Sequence, residues 1–209
     1  MIEIPRRGVC LILSAPSGAG KTAIADALLA SEPKLERSVS VTTRARRPTE
    51  IEGVHYHFLS EDGFQQALAA DELLEWARVL QGTHAYGTPR APVERALAAG
   101  RDVVFDIDWQ GHRQLREKLP ADVVSVFVLP PNIAALRSRL VGRAGDHGAE
   151  IERRMRVATE EIGHWVEFDH VVVNEDLAVA TEAVRGVLHA ARSVTRRLTG
   201  ARAFVEGLA

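Results

Sequence analysis

The chain has 209 residues, of which 46% are hydrophobic and 26% are charged, and its formal net charge is −2. These values are ordinary for a soluble globular protein, and the small net charge excludes a general basic field that would favour nucleic acid. The single cysteine, Cys10, excludes a disulfide within the chain and fits a reducing compartment.

No apolar run in the sequence approaches the length of a membrane span. The first residues also lack the apolar segment of a signal peptide. We therefore expect a cytoplasmic protein with neither a membrane nor a nucleic-acid partner. The sequence leaves open whether the protein is a monomer or a homo-oligomer.

The first predicted elements are a strand, a glycine-rich turn and a helix. The apolar run at residues 9–13 predicts a buried parallel strand. Gly18 and Gly20 allow the backbone of the turn to approach a ligand closely. In such a turn, backbone N–H groups bind phosphate oxygens, Lys21 reaches the outer phosphates and the Thr22 hydroxyl binds Mg²⁺. The stretch therefore predicts a phosphate-binding loop.

One position departs from the usual pattern, because Ala15 stands where such a loop begins with glycine. A plain glycine-rich turn without a ligand is the alternative interpretation. Lys21 argues against it, since only three of the 26 basic residues are lysine.

The middle of the chain is rich in predicted strands. In order, the pattern predicts a strand at 37–44, a basic loop at 44–50, a strand at 53–59, a helix that Ser60 caps, a strand at 73–79, a polar loop at 81–87 and a helix that Thr88-Pro89 begins and Gly100 ends. This region, from about residue 38 to residue 87, breaks the strand–helix alternation and reads as an inserted lobe.

The second half alternates strands with helices. In order, the pattern predicts a strand at 102–108, a helix at 110–118, a strand at 123–129, a helix that Asn132 caps and that runs to Leu140, a loop at 141–150, an arginine-rich helix from Ile151, a strand at 171–173 and a helix at 177–198. This alternation predicts an α/β fold with a parallel, doubly wound sheet.

Two carboxylates end the strand predicted at 102–108. Asp106 stands where a carboxylate of phosphate-loop enzymes approaches Mg²⁺, usually through water. Asp108, two residues on, is expected on the same face of the strand. The alternative is a solvated strand end.

Four motifs occur in one order along the chain: Ser-Ala-Pro-Ser-Gly-Ala-Gly-Lys-Thr at 14–22, Ser-Val-Ser-Val-Thr-Thr-Arg at 38–44, Tyr-Gly-Thr at 86–88 and Asp-Ile-Asp-Trp-Gln-Gly at 106–111. Together they resemble guanylate kinase, and the resemblance covers nearly the whole chain. It implies transfer of the γ-phosphoryl group of ATP to GMP, which gives ADP and GDP.

The resemblance implies that four residues read guanine. Ser40 and Thr88 would donate to guanine O6, whereas Glu75 and Asp108 would accept from N1–H and the 2-amino group. Adenine lacks both of those donors, so it would leave the carboxylates unpaired. Each residue also has an alternative interpretation: Ser40 and Glu75 as strand residues, and Thr88 as a helix cap.

The resemblance also implies a site for the GMP phosphate. Its residues would be Arg44, Arg47, Tyr56 and Tyr86, with Glu50 orienting the arginines. Arginine offers a planar fork of donors that suits phosphate oxygens. Arg46 is the adjacent alternative to Arg47, which matches the family spacing. The loop before Tyr86 is about two residues longer than is usual in the family.

For the donor, the resemblance implies that ATP contacts Ala15, Pro16, Ser17, Gly18, Ala19, Gly20, Lys21, Thr22 and, beside the adenine, Asn174. Mg²⁺ would be held by Thr22 and, through water, by Asp106. The catalytic residues would be Lys21, Arg44, Arg139, Arg143 and Arg154, which supply charge to the transferring group. Solvent-facing helix arginines are the alternative for the last three.

The fold implied is a single domain, 1–209, with a phosphate-loop core at 1–37, 88–140 and 165–209. A GMP-binding lobe would cover about 38–87 and a helical lid about 141–164. Two rival functions remain at this point: a binding module of the same fold without catalysis, and a kinase of this fold that acts on another small phosphate, such as a sugar bisphosphate.

Overall fold

The computed structural model describes residues 3–79, 83–141 and 148–208. Within these ranges the strands are β1 (Cys10–Ser14), β2 (Leu35–Arg37), β3 (Val41–Thr42), β4 (His57–Phe58), β5 (Leu73–Val79), β6 (His84–Pro89), β7 (Asp102–Asp106), β8 (Val123–Leu129) and β9 (His170–Val173). The α-helices are α1 (Lys21–Ser31), α2 (Glu61–Ala69), α3 (Arg90–Ala98), α4 (Trp109–Lys118), α5 (Ile133–Val141), α6 (Gly148–Ile162), α7 (Leu177–Arg192) and α8 (Ala201–Glu206).

A parallel sheet with the strand order β2-β7-β1-β8-β9 forms the centre of the molecule. Alternate residues of β1 face opposite sides: Leu11 and Leu13 pack with α1 and α7, whereas Cys10 and Ile12 pack with α3 and α4. Helices therefore cover both faces, which confirms the predicted α/β class. Across the described ranges, none of the helices combines the length and hydropathy of a membrane span.

A second sheet, with the order β4-β3-β6-β5, lies between β2 and α3 in the chain. Helix α2 covers it, and Phe64 and Ala67 pack there with Val41, Leu73 and Ala85. The Ser60 hydroxyl accepts a hydrogen bond of 3.1 Å from the Gly63 N–H, as expected of an N-cap. The inserted strand-rich region of the sequence analysis is thus confirmed.

Three predictions for this region differ from the structure. The strand predicted at 37–44 is two strands, because β2 pairs with β7 in the central sheet and β3 pairs with β6 in the second. The polar loop predicted at 81–87 instead contains the start of β6, whose residues pair antiparallel with β5. The strand predicted at 53–59 is shorter and covers His57–Phe58.

Two helix starts also differ from their predictions. Thr88 lies inside β6, and Pro89 is the N-cap of α3, so Thr88 does not begin the helix. The strand predicted to reach Asp108 ends at Asp106, and Asp108 is instead the N-cap of α4. Gly100 follows α3 with a φ of 73°, as expected of a residue that ends a helix.

The helices of the second half differ at their ends. The arginine-rich helix α6 begins at Gly148, three residues before the predicted start. The closing helix ends at Arg192 instead of Leu198, and a 3₁₀ turn follows at Thr195–Arg197. This turn buries Arg197, whose guanidinium donates to the Gly8 carbonyl at 3.2 Å, a contact that a continued helix would not be expected to make.

Candidate functional site

The glycine-rich turn between β1 and α1 lines an open pocket of about 290 Å³. Gly18 and Gly20 have φ values of 90° and 97°, in the left-handed region that suits glycine. A β-carbon on Gly20 would lie 2.2 Å from the amide nitrogen of Asn174, so a larger residue cannot replace it. Gly20 is also the N-cap of α1 and offers no side-chain acceptor to the first turn. The turn therefore has the local geometry of an anion site.

Lys21 and Thr22, which line this pocket, both contact Asp106. The Lys21 Nζ lies 2.7 Å from Asp106 Oδ1 and donates to the Ile107 carbonyl at 3.2 Å. The Thr22 hydroxyl donates to Asp106 Oδ2 at 2.9 Å. This contact follows from the sheet register, because Asp106 at the end of β7 pairs with Leu13 of β1. The predicted lysine, hydroxyl and carboxylate thus lie together.

Glu161, on helix α6, reaches the same pocket. Its carboxylate accepts a hydrogen bond of 3.3 Å from the backbone N–H of Ser17, and its side chain lines the pocket. Burial raises the pKa of Glu161, although the Ser17 N–H and the charge of Lys21 oppose the shift. An acidic side chain therefore occupies part of a pocket whose local geometry suits anions.

Two further residues support the loop from behind. The amide of Asn174, which is 5% exposed, donates to the Ala19 carbonyl at 2.7 Å. Arg139 donates to the carbonyls of Ala19 and Asn174 at 3.5 and 3.1 Å. Asn174 as a contact of adenine stays a prediction, and its amide is engaged by the loop itself.

A buried carboxylate lies where β5 and β6 pair in the second sheet. Glu75 of β5 and Thr88 of β6 are directly opposite in register, and the Thr88 hydroxyl donates to Glu75 Oε1 at 2.6 Å. Both side chains are buried. Asp108 caps α4, and its Oδ1 accepts from the N–H groups of Gln110 and Gly111, each at 3.0 Å.

Burial raises the pKa of Glu75 to about 7. The Thr88 hydrogen bond opposes this shift, and the charge of Asp108 adds to it. The charge of Asp108 therefore acts on Glu75, whereas a joint role of the two carboxylates in reading guanine stays a prediction. A group that titrates near neutral pH in a buried position is typical of functional sites.

The predicted phosphate-binding residues of the second sheet form one cluster. Arg44 pairs with Glu50 Oε1 at 2.6 Å and donates to the Tyr86 hydroxyl at 3.3 Å. Its guanidinium carbon lies 5.5 Å from the centre of the Tyr56 ring, and the Tyr56 and Tyr86 rings meet edge to face. The hydrogen bonds to Glu50 and Tyr86 raise the pKa of Arg44. The backbone N–H of Arg47 donates to Glu50 Oε2 at 2.8 Å.

The structure relates the other predicted residues less directly to the groups described above. Ser40 precedes β3, and the antiparallel register that pairs Val41 with Gly87, continued by one residue, puts Ser40 beside Thr88. Arg154 donates to Glu150 one turn before it on α6, at 3.3 Å. Arg143 lies outside the described residues.

Three residues at the site were missed by the sequence analysis: Glu161, Gly111 and Gln114. A β-carbon on Gly111 would lie 3.0 Å from Glu75 Oε2, so this glycine makes room for the carboxylate. Gln114 bonds the backbone of Trp76, next to Glu75. The i, i+3 spacing of Asp108, Gly111 and Gln114 was the available signal, since it places all three on one face of a helix.

Comparisons with known proteins agree with this geometry. The family model of guanylate kinase matches residues 7–191. The guanylate kinase of Gluconobacter oxydans (strain 621H) is 62% identical over 94% of this chain and 94% of its own length. That of Chelativorans sp. (strain BNC1) is 55% identical over 98% of this chain and 93% of its own.

A solved structure is similar as well. The crystal structure of guanylate kinase from Anaplasma phagocytophilum superposes with a TM-score of 0.77 at 34% identity, covering 98% of this chain and 96% of that one. The family match, the relatives and the phosphate-loop fold point the same way: the chain belongs to the guanylate kinase family.

Proposed function

We propose that the described residues divide the ATP-dependent phosphorylation of GMP, the reaction of this family, among three neighbouring subsites. The observation that supports this most is the position of Asp106 and Asp108. Asp106 contacts Lys21 and Thr22 of the phosphate loop. Two residues further on, Asp108 accepts from the N–H of Gly111, which lies against the buried Glu75 carboxylate. The strand end between the two sheets thus joins a donor subsite to an acceptor subsite.

The donor subsite is the turn at Ala15, Pro16, Ser17, Gly18, Ala19, Gly20, Lys21 and Thr22, which binds the ATP phosphates through backbone N–H groups. Lys21 contacts the outer phosphates. The Thr22 hydroxyl and the Asp106 carboxylate suit Mg²⁺, which prefers oxygen ligands and keeps several waters and phosphate oxygens in its shell. When bound, the ion neutralises charge on the phosphates.

The acceptor base is read by Glu75 and Asp108, which accept from N1–H and the 2-amino group, and by Ser40 and Thr88, which donate to O6. In the free protein the single hydroxyl proton of Thr88 is donated to Glu75, so the hydroxyl must turn this proton from the carboxylate to O6 when guanine binds. AMP would place an unprotonated N1 against the carboxylates, leaving them without donors.

The acceptor phosphate is bound by Arg44, Arg47, Tyr56 and Tyr86. Glu50 orients this group, because it contacts the Arg44 guanidinium and the Arg47 backbone at once. Since the GMP phosphate is already largely ionised near neutral pH, the reaction requires no side chain as a general base. Charge on the transferring group is stabilised instead by Lys21, Arg44, Arg139, Arg143 and Arg154.

We assign the core to 1–37, 88–140 and 165–209, the GMP-binding lobe to about 38–87 and the lid to about 141–164, all within one domain. Closure of lobe and lid would exclude water from the transferring group. The protein would act in the cytoplasm, on free ATP and GMP, with neither nucleic acid nor membrane as partner.

The rate of ADP formation with different acceptors tests the proposal. We expect GMP and dGMP to be used, and AMP and UMP to give rates lower by at least about 10³-fold in kcat/KM, because hydrogen bonds of the base site would be unmade. Equal use of AMP would overturn the base assignment. Absence of ADP formation with every acceptor would instead favour a binding module.

Glu161 gives a further prediction for the donor subsite. Its carboxylate must leave the Ser17 N–H before a phosphate can use that donor, and it would repel the triphosphate. We expect Glu161→Gln to lower the KM for ATP about threefold to tenfold, equivalent to about 1 kcal/mol, with the KM for GMP unchanged. Glu160→Gln is the matched control, because Glu160 is an exposed neighbour on the same helix.

Steady-state kinetics with ATP as the varied substrate decide the matter. An unchanged KM for ATP would show that the contact of Glu161 with the Ser17 N–H does not affect ATP binding. A raised KM would show that Glu161 supports the loop instead of competing with phosphate.

A further inference from the structure

Strand β5, which carries Glu75, is held by both hydrophobic cores. Leu73 belongs to the cluster under the second sheet, whereas Leu74 belongs to the cluster of the central sheet, with Phe105 and Leu115. The pairing of β5 with β6 shifts between Leu73 and Glu75, and such an irregularity redirects side chains. The segment just before Glu75 is therefore anchored in the core as well as in the lobe.

β5 is also an edge strand of the second sheet, and side chains of helix α4 form hydrogen bonds with the backbone of that edge. The Trp76 N–H donates to Gln114 Oε1 at 3.0 Å, and Gln114 Nε2 donates to the Trp76 carbonyl at 2.9 Å. One carboxamide thus satisfies both backbone groups of the residue after Glu75. Backbone groups on a strand edge otherwise depend on water or on another chain.

The same face of α4 contacts β5 on the other side of Glu75. Lys118, four residues after Gln114, donates to the Leu73 carbonyl at 2.7 Å. Gly111, three residues before Gln114, lies against the Glu75 carboxylate. Asp108, the N-cap of α4, precedes Gly111 by three residues and lies at the start of this face.

We propose that Gln114 is a positioning residue for the acceptor base: through the backbone of Trp76 it fixes Glu75 to helix α4, and therefore to Asp108, as one rigid unit of the core. This inference rests on the proposed reading of guanine by Glu75 and Asp108. Glu75 lies within the lobe assigned to about 38–87, but these contacts tie its strand to α4 of the core. Base recognition is then preset beside α4, whereas Arg44, which binds phosphate, lies in the part of the lobe that would move.

Recognition of the base would therefore depend on different contacts from binding of the phosphate. Two hydrogen-bond acceptors recognise guanine only if their separation is fixed to a fraction of an ångström, since small misplacements cost large factors in rate. Without Gln114, Trp76 would lose both partners on the strand edge, and Glu75 would shift against Asp108. Donor binding, which involves neither β5 nor Gln114, would not change.

The test is Gln114→Met, which keeps the length of the side chain and removes both hydrogen bonds. We expect the KM for GMP to rise about 10-fold or more, the KM for ATP to stay within twofold, and the preference for GMP over IMP to narrow. IMP lacks the 2-amino group, so it makes fewer hydrogen bonds to Glu75 and Asp108 than GMP does. The loss of affinity for IMP should therefore be smaller. Gln66→Met, on the exposed surface of α2, is the matched control.

Lys118→Met provides a second measurement if Gln114→Met folds poorly, because it removes the contact at Leu73 and should shift the same constants in the same direction. Unchanged constants for GMP in both variants would overturn the proposal. Equal losses toward ATP, GMP and IMP would also overturn it, since they indicate a general structural role. A wild-type protein that fails to prefer GMP over AMP would instead contradict the assignment of the base site itself.

Discussion

Replacing Lys21 by methionine will lower kcat for ADP formation from ATP and GMP by about 10²- to 10³-fold, the usual loss when one charged donor is removed from a preorganised site. Methionine has a similar length, so the loss reports the ammonium group. In the free protein this group is half-buried between Asp106 and the Ile107 carbonyl, in the pocket that the glycine-rich turn lines. A phosphate in that turn would be within its reach.

The matched control is Lys34→Met, because Lys34 pairs with Glu3 at the surface and lies outside the turn. Its kcat should equal that of the wild type. Thermal unfolding of both variants should change little, since the Lys21 pair is partly solvated and such pairs contribute modestly to stability. Unchanged turnover of the Lys21→Met protein would contradict the role of the phosphate loop in the mechanism.

The local part of the site was predictable from the sequence. The turn around Gly18 and Gly20 has a signature within 12 residues: an apolar strand, two glycines, a lysine and a helix. Asp106 could also be found, because the end of a buried strand can be read from its apolar run. Such features depend on neighbours in the chain, and sequence patterns record those neighbours directly.

The missed part depends on contacts between distant residues. Glu161, which was not predicted, reaches Ser17 across 144 positions, and Asn174, which was predicted only beside adenine, reaches Ala19 across 155. Neither contact leaves a periodic signal. The break between β2 and β3 was missed for a related reason, since alternation describes the faces of a strand and not the sheet that it joins. Asp108 was placed on a strand because its role as the cap of α4 depends on where the chain turns.

Glu75→Gln is expected to reduce kcat/KM for GMP by about 10²-fold or more, because the amide offers the wrong hydrogen-bonding groups to guanine. Glu72→Gln is the matched control, since Glu72 is exposed and three residues away on the same segment. Thr88 keeps an acceptor in the variant, because the amide oxygen can replace the carboxylate oxygen that it now contacts. The kcat/KM for GMP in both variants is the deciding measurement.

The pH dependence separates this role from a structural one. The pKa of Glu75 is raised to about 7, so the carboxylate that guanine requires predominates only above that pH. In the wild type, kcat/KM for GMP should fall about tenfold per pH unit below pH 7, since this parameter reports groups of the free protein and free substrate. In Glu75→Gln the change of slope of this pH profile near pH 7 should disappear, whereas the change of slope caused by the GMP phosphate, at about pH 6, should remain.

Stability should change in the opposite direction from activity. Because the folded pKa of Glu75 is raised from 4.5 to about 7, the unfolded chain releases this proton first, and the folded state loses stability as the pH rises between those values. Glutamine has no proton to lose, so Glu75→Gln should be more stable than the wild type at pH 8, by at most about 3 kcal/mol. The gain should vanish toward pH 4. A variant that is less active at pH 8 but melts higher would show that the buried charge is kept for recognition of the base; a variant that loses both activity and stability would assign Glu75 to the fold instead.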